Sequence, residues 1–585
     1  MVREARGFIE RVRAGASDAK DLSGVADWIV RNTRDPKFTS RQWSFKDHEY
    51  QIEIANSEAA EVDVRKCSQV GMSELSVRVQ LALLSIFPGY RAIYTLPTTG
   101  FARQFTKDRF DSVVEASPEL SALMDSNVDG SEMKRLGTSY LYIKGTFGKS
   151  AAISIPADIL FNDEVDFSNQ EVLTSFSSRL GHAEGGGITR RFSTPTVEGF
   201  GISEGFAESS QARYLIKHDR CGKWVAPSWF DDLVIPGYDK PMMEFESLDY
   251  RSKLYGVESA YILCPNCRNP VKHDNYCDAS KRRWVHAHPD RDKKGYQVMP
   301  FDVPRHNPVP KTLSTITKYK RKADWVNFKI GLPFQDAENA FLGERIEQQR
   351  VLTAVLPVPI AAFGCVMGVD IGKTSWVTIG KPMNGRTHII HQEQIRQGAN
   401  HELTTRLQLL LEYFGVVKCI VDAAPDFTTA LTLIGDPRNW IGRVYGCYYV
   451  HSNKKKLTNV EVNDAEGVVT AYRTGTFDDL VKRVNGGVYQ YSKTEESLLM
   501  KEHLSNMKRV TYTNNQGEEV ASWVSTGDDH YGHSLNYMHI AEGLLEHVPK
   551  GASMPSLPMV SKTKVKSDTR EEDRTYPTLL GERRR

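Results

Sequence analysis

The run Arg65-Lys66-Cys67-Ser68-Gln69-Val70-Gly71-Met72-Ser73 has the residue types and spacing of a loop that holds nucleotide phosphates. It follows a candidate strand, Glu61–Val64, and precedes Leu75, Val79 and Leu83 at helical spacing. A strand, a tight turn and a helix start together present backbone N–H groups and a partial positive charge to an anion. The usual pattern is G-x-x-x-x-G-K-[ST]. Here Lys66 stands where the first glycine is usual, and Met72 stands where the lysine is usual. A lysine at 66 can fold back over the loop to the β- and γ-phosphates, and Ser73 would then hold Mg2+. Alone, the run also reads as an ordinary strand-to-helix turn.

Two further runs change that balance. Asp158–Asn162 is an apolar stretch that leads into Asp163 and Glu164. An Asp in that place supports Mg2+, and the next acid can orient and deprotonate an attacking water. Asp166 fits a cap after a buried strand, which does not explain both acids before it. Phe192-Ser193-Thr194-Pro195-Thr196 follows another short apolar stretch, and a Ser-Thr pair beside the γ-phosphate can sense its loss. The order of loop, acidic strand and Ser-Thr-Pro-Thr predicts an ATPase.

A second set of acids lies toward the C-terminus. Val366-Met367-Gly368-Val369-Asp370-Ile371-Gly372 reads as a buried strand carrying one Asp. Val416–Val421 reads as another, ending in Asp422, with Asp426 shortly after. Gly527-Asp528-Asp529-His530 opens a helical pattern through Leu535, Met538 and Ile540. Clustered carboxylates repel one another unless cations sit between them. Their natural use is to hold two Mg2+ or Mn2+ ions about 4 Å apart for phosphodiester cleavage, a ribonuclease-H-like arrangement. Each Asp alone is more readily a cap or turn residue. Residue types do not decide between Asp528 and Asp529.

His218-Asp219-Arg220-Cys221 and Cys264-Pro265-Asn266-Cys267 are two pairs with knuckle spacing, and four N/S ligands suit tetrahedral Zn2+. Cys264, Cys267, His273 and Cys277 form a competing local set. With no open coordination position suggested, such a metal is structural. Lys281-Arg282-Arg283-Trp284, Lys318–Arg321 and Lys454-Lys455-Lys456 offer charge to DNA phosphates, or are solvated surface runs.

These sites need sheets to carry them. The chain has 585 residues, 40% hydrophobic and 25% charged, enough for two or more cores and unlike a disordered chain. Lys and Arg total 75 against 73 Asp and Glu, so any basic surface is local. Eight cysteines are too few for a disulfide scaffold. The N-terminus lacks the apolar run of a secretory signal, and no stretch reaches a membrane span. Residues 1–40 are expected to be helical and 41–355 a motor domain. Strands are placed at Glu61–Val64, Ala92–Leu96, Tyr140–Ile143 and Asp158–Asn162, and 210–300 is placed as an insertion with its own logic. Two prolines in Leu356-Pro357-Val358-Pro359 mark a hinge at 356–364. A second alternating rhythm spans 365–548, and 549–585, with Lys562–Lys566 and Arg583–Arg585, reads as a flexible charged tail.

Taken in order, these motifs resemble the large terminase subunit of tailed bacteriophages, most of all its lambda-type branch, over roughly residues 40–545. The resemblance implies an α/β chain with an N-terminal P-loop (ASCE-type) ATPase domain, a zinc-ribbon-like insertion and a C-terminal RNase H-like nuclease domain. It implies ATP and Mg2+ at Lys66–Ser73, Asp163 and Glu164, coupling at Ser193 and Thr194, and Mg2+ or Mn2+ at Asp370, Asp422 and Asp528/Asp529. Trp43-Ser44-Phe45-Lys46-Asp47-His48 resembles the family's segment near adenine, where Gln42 would read the base. Lambda-type relatives carry two cysteine pairs at the zinc position, and His218 departs from that pattern. The implied activity is ATP-driven movement of double-stranded DNA into a procapsid, with cutting of the concatemer, in the host cytoplasm. Implied partners are a portal, a small terminase subunit, further copies in a ring, and no membrane; the tail would dock on the portal. Rival readings are a helicase–nuclease of repair or restriction, a recombinase sharing the carboxylates, and a non-enzymatic DNA-binding scaffold.

Overall fold

The structure is a computed structural model that describes residues 24–146, 155–183, 187–336, 339–351, 364–396, 400–424, 427–450, 458–513 and 519–547. The expected hinge prolines, Asp426, Lys454–Lys456 and the tail lie outside the described residues, as does most of the N-terminal segment.

Seven parallel strands form the body of the first sheet. They are β1 (Glu61–Lys66), β2 (Arg91–Leu96), β3 (Ser139–Gly145), β4 (Ile159–Asp163), β5 (Ile188–Ser193), β6 (Ala212–Lys217) and β7 (Lys294–Val298). Their spatial order is β6-β7-β1-β5-β4-β2-β3, and every neighbouring pair in that run is parallel. Parallel strands are covered on both faces, which is why β4 is buried along its whole length. Short antiparallel strands flank the run at both edges. The four expected strands are all present, with ends that differ by at most two residues. Helix α1 (Met72–Ile86) leaves β1 through Gly71, whose φ of 73° suits a residue without Cβ.

Two expectations change. The described part of the N-terminal segment is helical only over Val25–Asn32; from Arg34 it forms a small hairpin, Arg34–Asp35 with Phe38–Gln42. The 210–300 stretch is not a self-contained insertion. It supplies β6 and β7 to the main sheet, because these apolar segments complete the edge beside β1. Between them, residues 218–281 and the later 299–334 stretch share a separate apolar cluster around Trp229, Phe245, Phe301 and Trp325.

The second sheet contains β8 (Cys365–Asp370), β9 (Thr374–Met383), β10 (Arg386–Arg396), β11 (Val416–Asp422), β12 (Val444–Val450) and β13 (Val468–Tyr472). Its order is β10-β9-β8-β11-β12-β13, with one further strand at each end. β8, β9 and β10 run antiparallel, while β11, β12 and β13 extend in parallel from β8. This is the RNase H-like arrangement. A hairpin, β14 (Met507–Thr513) with β15 (Glu519–Ser525), leads into helix α2 (His530–Gly543). α2 lies directly on β8 at Gly368, where a Cβ would come 2.1 Å from the Ser534 carbonyl and 2.2 Å from the Met538 nitrogen. Glycine there lets the helix start reach the end of the strand carrying Asp370. Among the described residues, no helix is long and apolar enough to cross a membrane.

Candidate functional site

The strand order decides what meets at the first site. β5 lies between β1 and β4, so the phosphate loop after β1, the Ser-Thr pair after β5 and the acids after β4 share one edge of the sheet. Lys66 is buried, and its Nζ lies 3.1 Å from Glu164 Oε1. Burial opposes its charge, but Glu164 and Asp163 outweigh that and hold the Lys66 pKa above its ordinary value. Ser73 Oγ donates to Asp163 Oδ2 at 3.1 Å, and the Tyr94 hydroxyl donates to the same oxygen at 2.9 Å. The other oxygen, Asp163 Oδ1, is buried without a partner. Burial first, then Glu164, pushes the Asp163 carboxyl up to about 7. A buried acid with one orphaned oxygen beside a serine hydroxyl fits a Mg2+ ion or its water shell, which would draw off the proton. Glu164 has φ 53°, a left-handed conformation unusual for a residue with a Cβ.

The loop is braced by neighbours that its own sequence does not announce. Cys67 N–H donates to Val298 O at 3.0 Å, and Ser68 N–H donates to Phe328 O at 2.6 Å. Cys67 is buried, and its thiol is pushed up to about 12 by that burial, so it is inert. Gln69 takes φ 61°, and Met72 is buried. The Val70 carbonyl accepts from the Tyr50 hydroxyl and from Gln51 Nε2, the latter at 3.2 Å. Gln51 also lies within 3.0 Å of a Cβ placed on Gly71, and the His48 ring within 3.6 Å. Of the expected adenine-side segment, then, His48 reaches the loop. Gln42 ends an exposed strand, and Trp43 lies under the Arg78 guanidinium at 3.6 Å. Gln51, not Gln42, is the glutamine against the phosphate loop. A hydrophobic-run reading passes over it because it sits inside the helix Tyr50–Ala55.

Asp166 has a role the sequence reading missed. Its Oδ2 accepts from Thr196 N and Oγ1, both at 2.8 Å, and its Oδ1 from Ile202 N at 2.8 Å. It therefore ties the Ser193–Thr196 segment to the acids after β4. Ser193 Oγ donates to the Thr194 carbonyl, while Thr194 Oγ1 is buried without a partner. Burial pushes Asp166 up to about 7.

The second site is partly assembled. β8 and β11 are adjacent and parallel, with Val369 opposite Val421, so Asp370 and Asp422 end neighbouring strands. Asp422 is pushed up to about 6, by burial foremost and by Asp370 in addition, with the Tyr537 hydroxyl (2.9 Å) and the charge of His533 opposing. Asp529 stands just before the start of α2; its carboxylate accepts from Ser525 Oγ and faces His533 Nε2 at 3.2 Å. These partners hold it well below the usual carboxylate range despite burial. Asp528 is exposed. Among the described residues, these acids do not come close enough to form a ready metal cluster. His530 Nδ1 lies 3.0 Å from Asp370 Oδ2.

The described residues do contain one ready cluster. The ligand atoms of His218, Cys221, Cys264 and Cys267 all lie within 4.8 Å of one another. His218 Nδ1 is 3.4 Å from both Cys221 Sγ and Cys267 Sγ, and its Nε2 is 3.2 Å from the Pro270 carbonyl. A proton on Nε2 toward that carbonyl leaves Nδ1 free for a metal. The competing set fails, because Cys277 Sγ pairs with His273 Nε2, at 3.5 Å, away from the other two thiols.

Two basic runs also change meaning. Arg282 is buried against Asp302, Lys281 pairs with Asp219 and Asp278, and Trp284 is buried with its Nε1 donating to Tyr50 O at 2.9 Å. Of that run only Arg283 is exposed. Arg321 binds Asp324 and donates to Thr511 Oγ1 at 3.0 Å, a contact between the two sheets' domains; Lys318 and Lys320 remain exposed.

Residues 39–284 match the family described as "Phage terminase large subunit gpA, ATPase domain". No curated protein matches the chain significantly. Among solved structures, the chain is similar to the HK97 bacteriophage large terminase, at 10% identity and a TM-score of 0.47, over 88% of this chain and 98% of that one. It is similar to the large terminase of a thermophilic bacteriophage at 11% identity and a TM-score of 0.31, over 86% and 100%. It is also similar to the large terminase nuclease of thermophilic phage G20c with bound magnesium at 14% identity and a TM-score of 0.24, over 34% and 97%.

Proposed function

We propose that this chain, whose residues 39–284 match the ATPase-domain family of phage terminase large subunits, is a DNA-packaging enzyme with two catalytic centres. The first hydrolyses ATP to move double-stranded DNA into a procapsid; the second cuts the DNA with divalent ions. The observation that carries the reading is the meeting of Lys66, Ser73, Asp163 and Glu164, with one Asp163 oxygen unpartnered and the other on the serine.

ATP supplies the phosphoryl group whose transfer to water releases the energy. Backbone N–H groups of the loop and the start of α1 bind its phosphates. Lys66 leaves Glu164 for the phosphates, which frees Glu164 to take a proton from the attacking water. Ser73 and Asp163 hold Mg2+. Thr194, with its unpartnered hydroxyl, directly follows the strand between the loop and the acids and reports phosphate loss. Asp166 passes that change to residues 196–202. In the second centre, Asp370 and Asp422 would hold divalent ions, with Asp529 contributing from α2, and such ions would activate water for phosphodiester cleavage. His218, Cys221, Cys264 and Cys267 hold a structural Zn2+. A portal, a small subunit and a ring of copies are the assembly in which this chain works, in the host cytoplasm.

The test is a pair of variants in the full chain. Glu164→Gln is expected to abolish ATP hydrolysis and leave Mn2+-dependent DNA cutting intact, and Asp422→Asn the converse. ATP hydrolysis persisting in Glu164→Gln refutes the first assignment; cutting persisting in Asp422→Asn refutes the second.

A further inference from the structure

The edge of the first sheet at β6 carries a face that neither catalytic centre uses. The strand Arg282–His286 pairs antiparallel with β6 on one side, and Trp224–Val225 pairs antiparallel on the other. Side chains alternate between the two faces of such a sheet. Ala212, Ile216, Val225, Arg282 and Trp284 point inward and are buried. The outer face takes Arg213, Leu215 and Lys217 from β6, Arg283 and Val285 from one neighbour, and Trp224 from the other. Arg213, Lys217, Arg283 and Val285 are exposed. The Arg283 guanidinium lies 4.1 Å from the centre of the Trp224 ring, so it reaches across β6 over Leu215, the residue opposite it.

β6 turns back into Trp224 through residues 218–223, where the His218 N–H donates to the Lys223 carbonyl at 2.9 Å. The turn adds two exposed bases, Arg220 and Lys223, on either side of Cys221. Arg213, Lys217, Arg220, Lys223 and Arg283 form no ion pair among the described residues. The outer face of the three strands carries no acid, and the acid of the turn, Asp219, is taken by Lys281 at 2.9 Å. Over the whole chain 75 basic residues nearly balance 73 acidic ones, so this cluster is a local excess of one sign. An ordinary solvated surface intersperses both signs.

The dimensions suit a nucleic-acid backbone. Arg213 and Lys217 stand four positions apart in β6, about 13 Å along a strand, and the three strands span about 10 Å. One strand of a DNA duplex advances about 3.4 Å per phosphate, so the face covers about four phosphates. A guanidinium laid on an indole is ordered beforehand and keeps its N–H edge for a phosphate oxygen.

We propose that this outer face, with the adjoining 218–223 turn, grips the phosphate backbone of double-stranded DNA without reading its sequence. The inference rests on the DNA-packaging reading above and adds to it the surface that holds the DNA. That surface lies on the same sheet as the phosphate loop, with only β7 between β6 and β1.

The full chain, filled with Zn2+ and free of nucleotide, is titrated by fluorescence anisotropy against two 30-base-pair duplexes of unrelated sequence over a range of salt. Each phosphate contact contributes about 0.9 to the slope of log K against log salt. The Arg213→Ala/Lys217→Ala/Arg283→Ala variant is expected to bind both duplexes more weakly and to lose about 2.7 from that slope. The charge-keeping variant Arg213→Lys/Lys217→Arg/Arg283→Lys is expected to keep the wild-type slope. A loss below about 1 in the alanine variant, or a loss confined to one duplex, overturns the proposal. So does a charge-keeping variant that loses the slope as the alanine variant does. If the alanine variant does not fold, Lys217→Gln and Arg283→Gln singly are each expected to lose about 0.9, and unchanged slopes in both overturn the proposal. When the wild type binds the duplexes and the variants are silent, the surface falls alone. When the wild type binds neither duplex at low salt, the DNA-packaging reading falls and the surface with it.

Discussion

Replacing Glu164 by Gln perturbs two interactions at once, and the structure separates their consequences. In the proposed function the carboxylate takes a proton from water, and it is also the partner of Lys66 at 3.1 Å. Loss of a general base costs about 10²- to 10⁴-fold in turnover. At 1.36 kcal/mol per factor of ten this is about 2.7–5.4 kcal/mol in the barrier. Loss of the ion pair acts on nucleotide binding in the opposite direction. In the wild type Lys66 must leave Glu164 to reach a phosphate, and Glu164 keeps a quarter of its side chain in solvent. A partly exposed pair contributes about 1 kcal/mol, so the variant binds ATP about fivefold more tightly. Phosphate release under steady state gives the first quantity, and titration with a fluorescent ATP analogue gives the second. Turnover within tenfold of wild type would refute the base assignment. Weaker binding in step with slower turnover would show that Glu164 holds the nucleotide rather than the proton.

Other outcomes follow from the same geometry. Asp163, Asp166 and Asp422 have folded pKa values raised to about 7, 7 and 6, so the folded chain holds protons that an unfolded chain releases near pH 4. Each therefore lowers stability as pH rises between about 4 and its folded value; thermal melts of nucleotide-free protein from pH 5 to 8 should show a decline that Asp163→Asn flattens. Mg2+–ATP affinity should weaken as pH falls below about 7, because Asp163 then carries a proton, and calorimetry at two pH values checks it. His218→Ala should release one zinc per chain, read by elemental analysis, and lower the melting temperature by several degrees without removing ATP binding. Gly368→Ala forces a Cβ into the Ser534 carbonyl and the Met538 nitrogen, at 2.1 and 2.2 Å. Overpacking of this kind costs about 1–3 kcal/mol or more, so DNA cutting should fail while ATP hydrolysis survives.

Much of both sites was legible from local chemistry. A strand, a loop and a helix start leave a pattern within a dozen residues, so Lys66, Ser73, Asp163 and Glu164 could be assigned roles from their neighbours in sequence. The paired spacing of His218, Cys221, Cys264 and Cys267 was legible for the same reason. What could not be read was everything that depends on which segments become neighbours across a sheet. Gln51 covers the phosphate loop because the helix Tyr50–Ala55 packs there. Asp166 ties down residues 196–202 because β5 lies beside β4. Arg282 and Trp284 look like a DNA grip and turn out to be buried, since the flanking strand they occupy lies against β6.

The sequence by itself set the residue types and near spacing of two candidate chemistries and their order along the chain, because these decide what a side chain can bind or protonate. Only the tertiary structure decided the partners. It placed β5 between the loop and the acids, and it let α2 press on β8 at Gly368, so that two histidines and not carboxylates alone meet the end of the second sheet. The physical reason is that strand order and helix approach are set by burial of apolar faces over long separations, and no local window of residues carries that information.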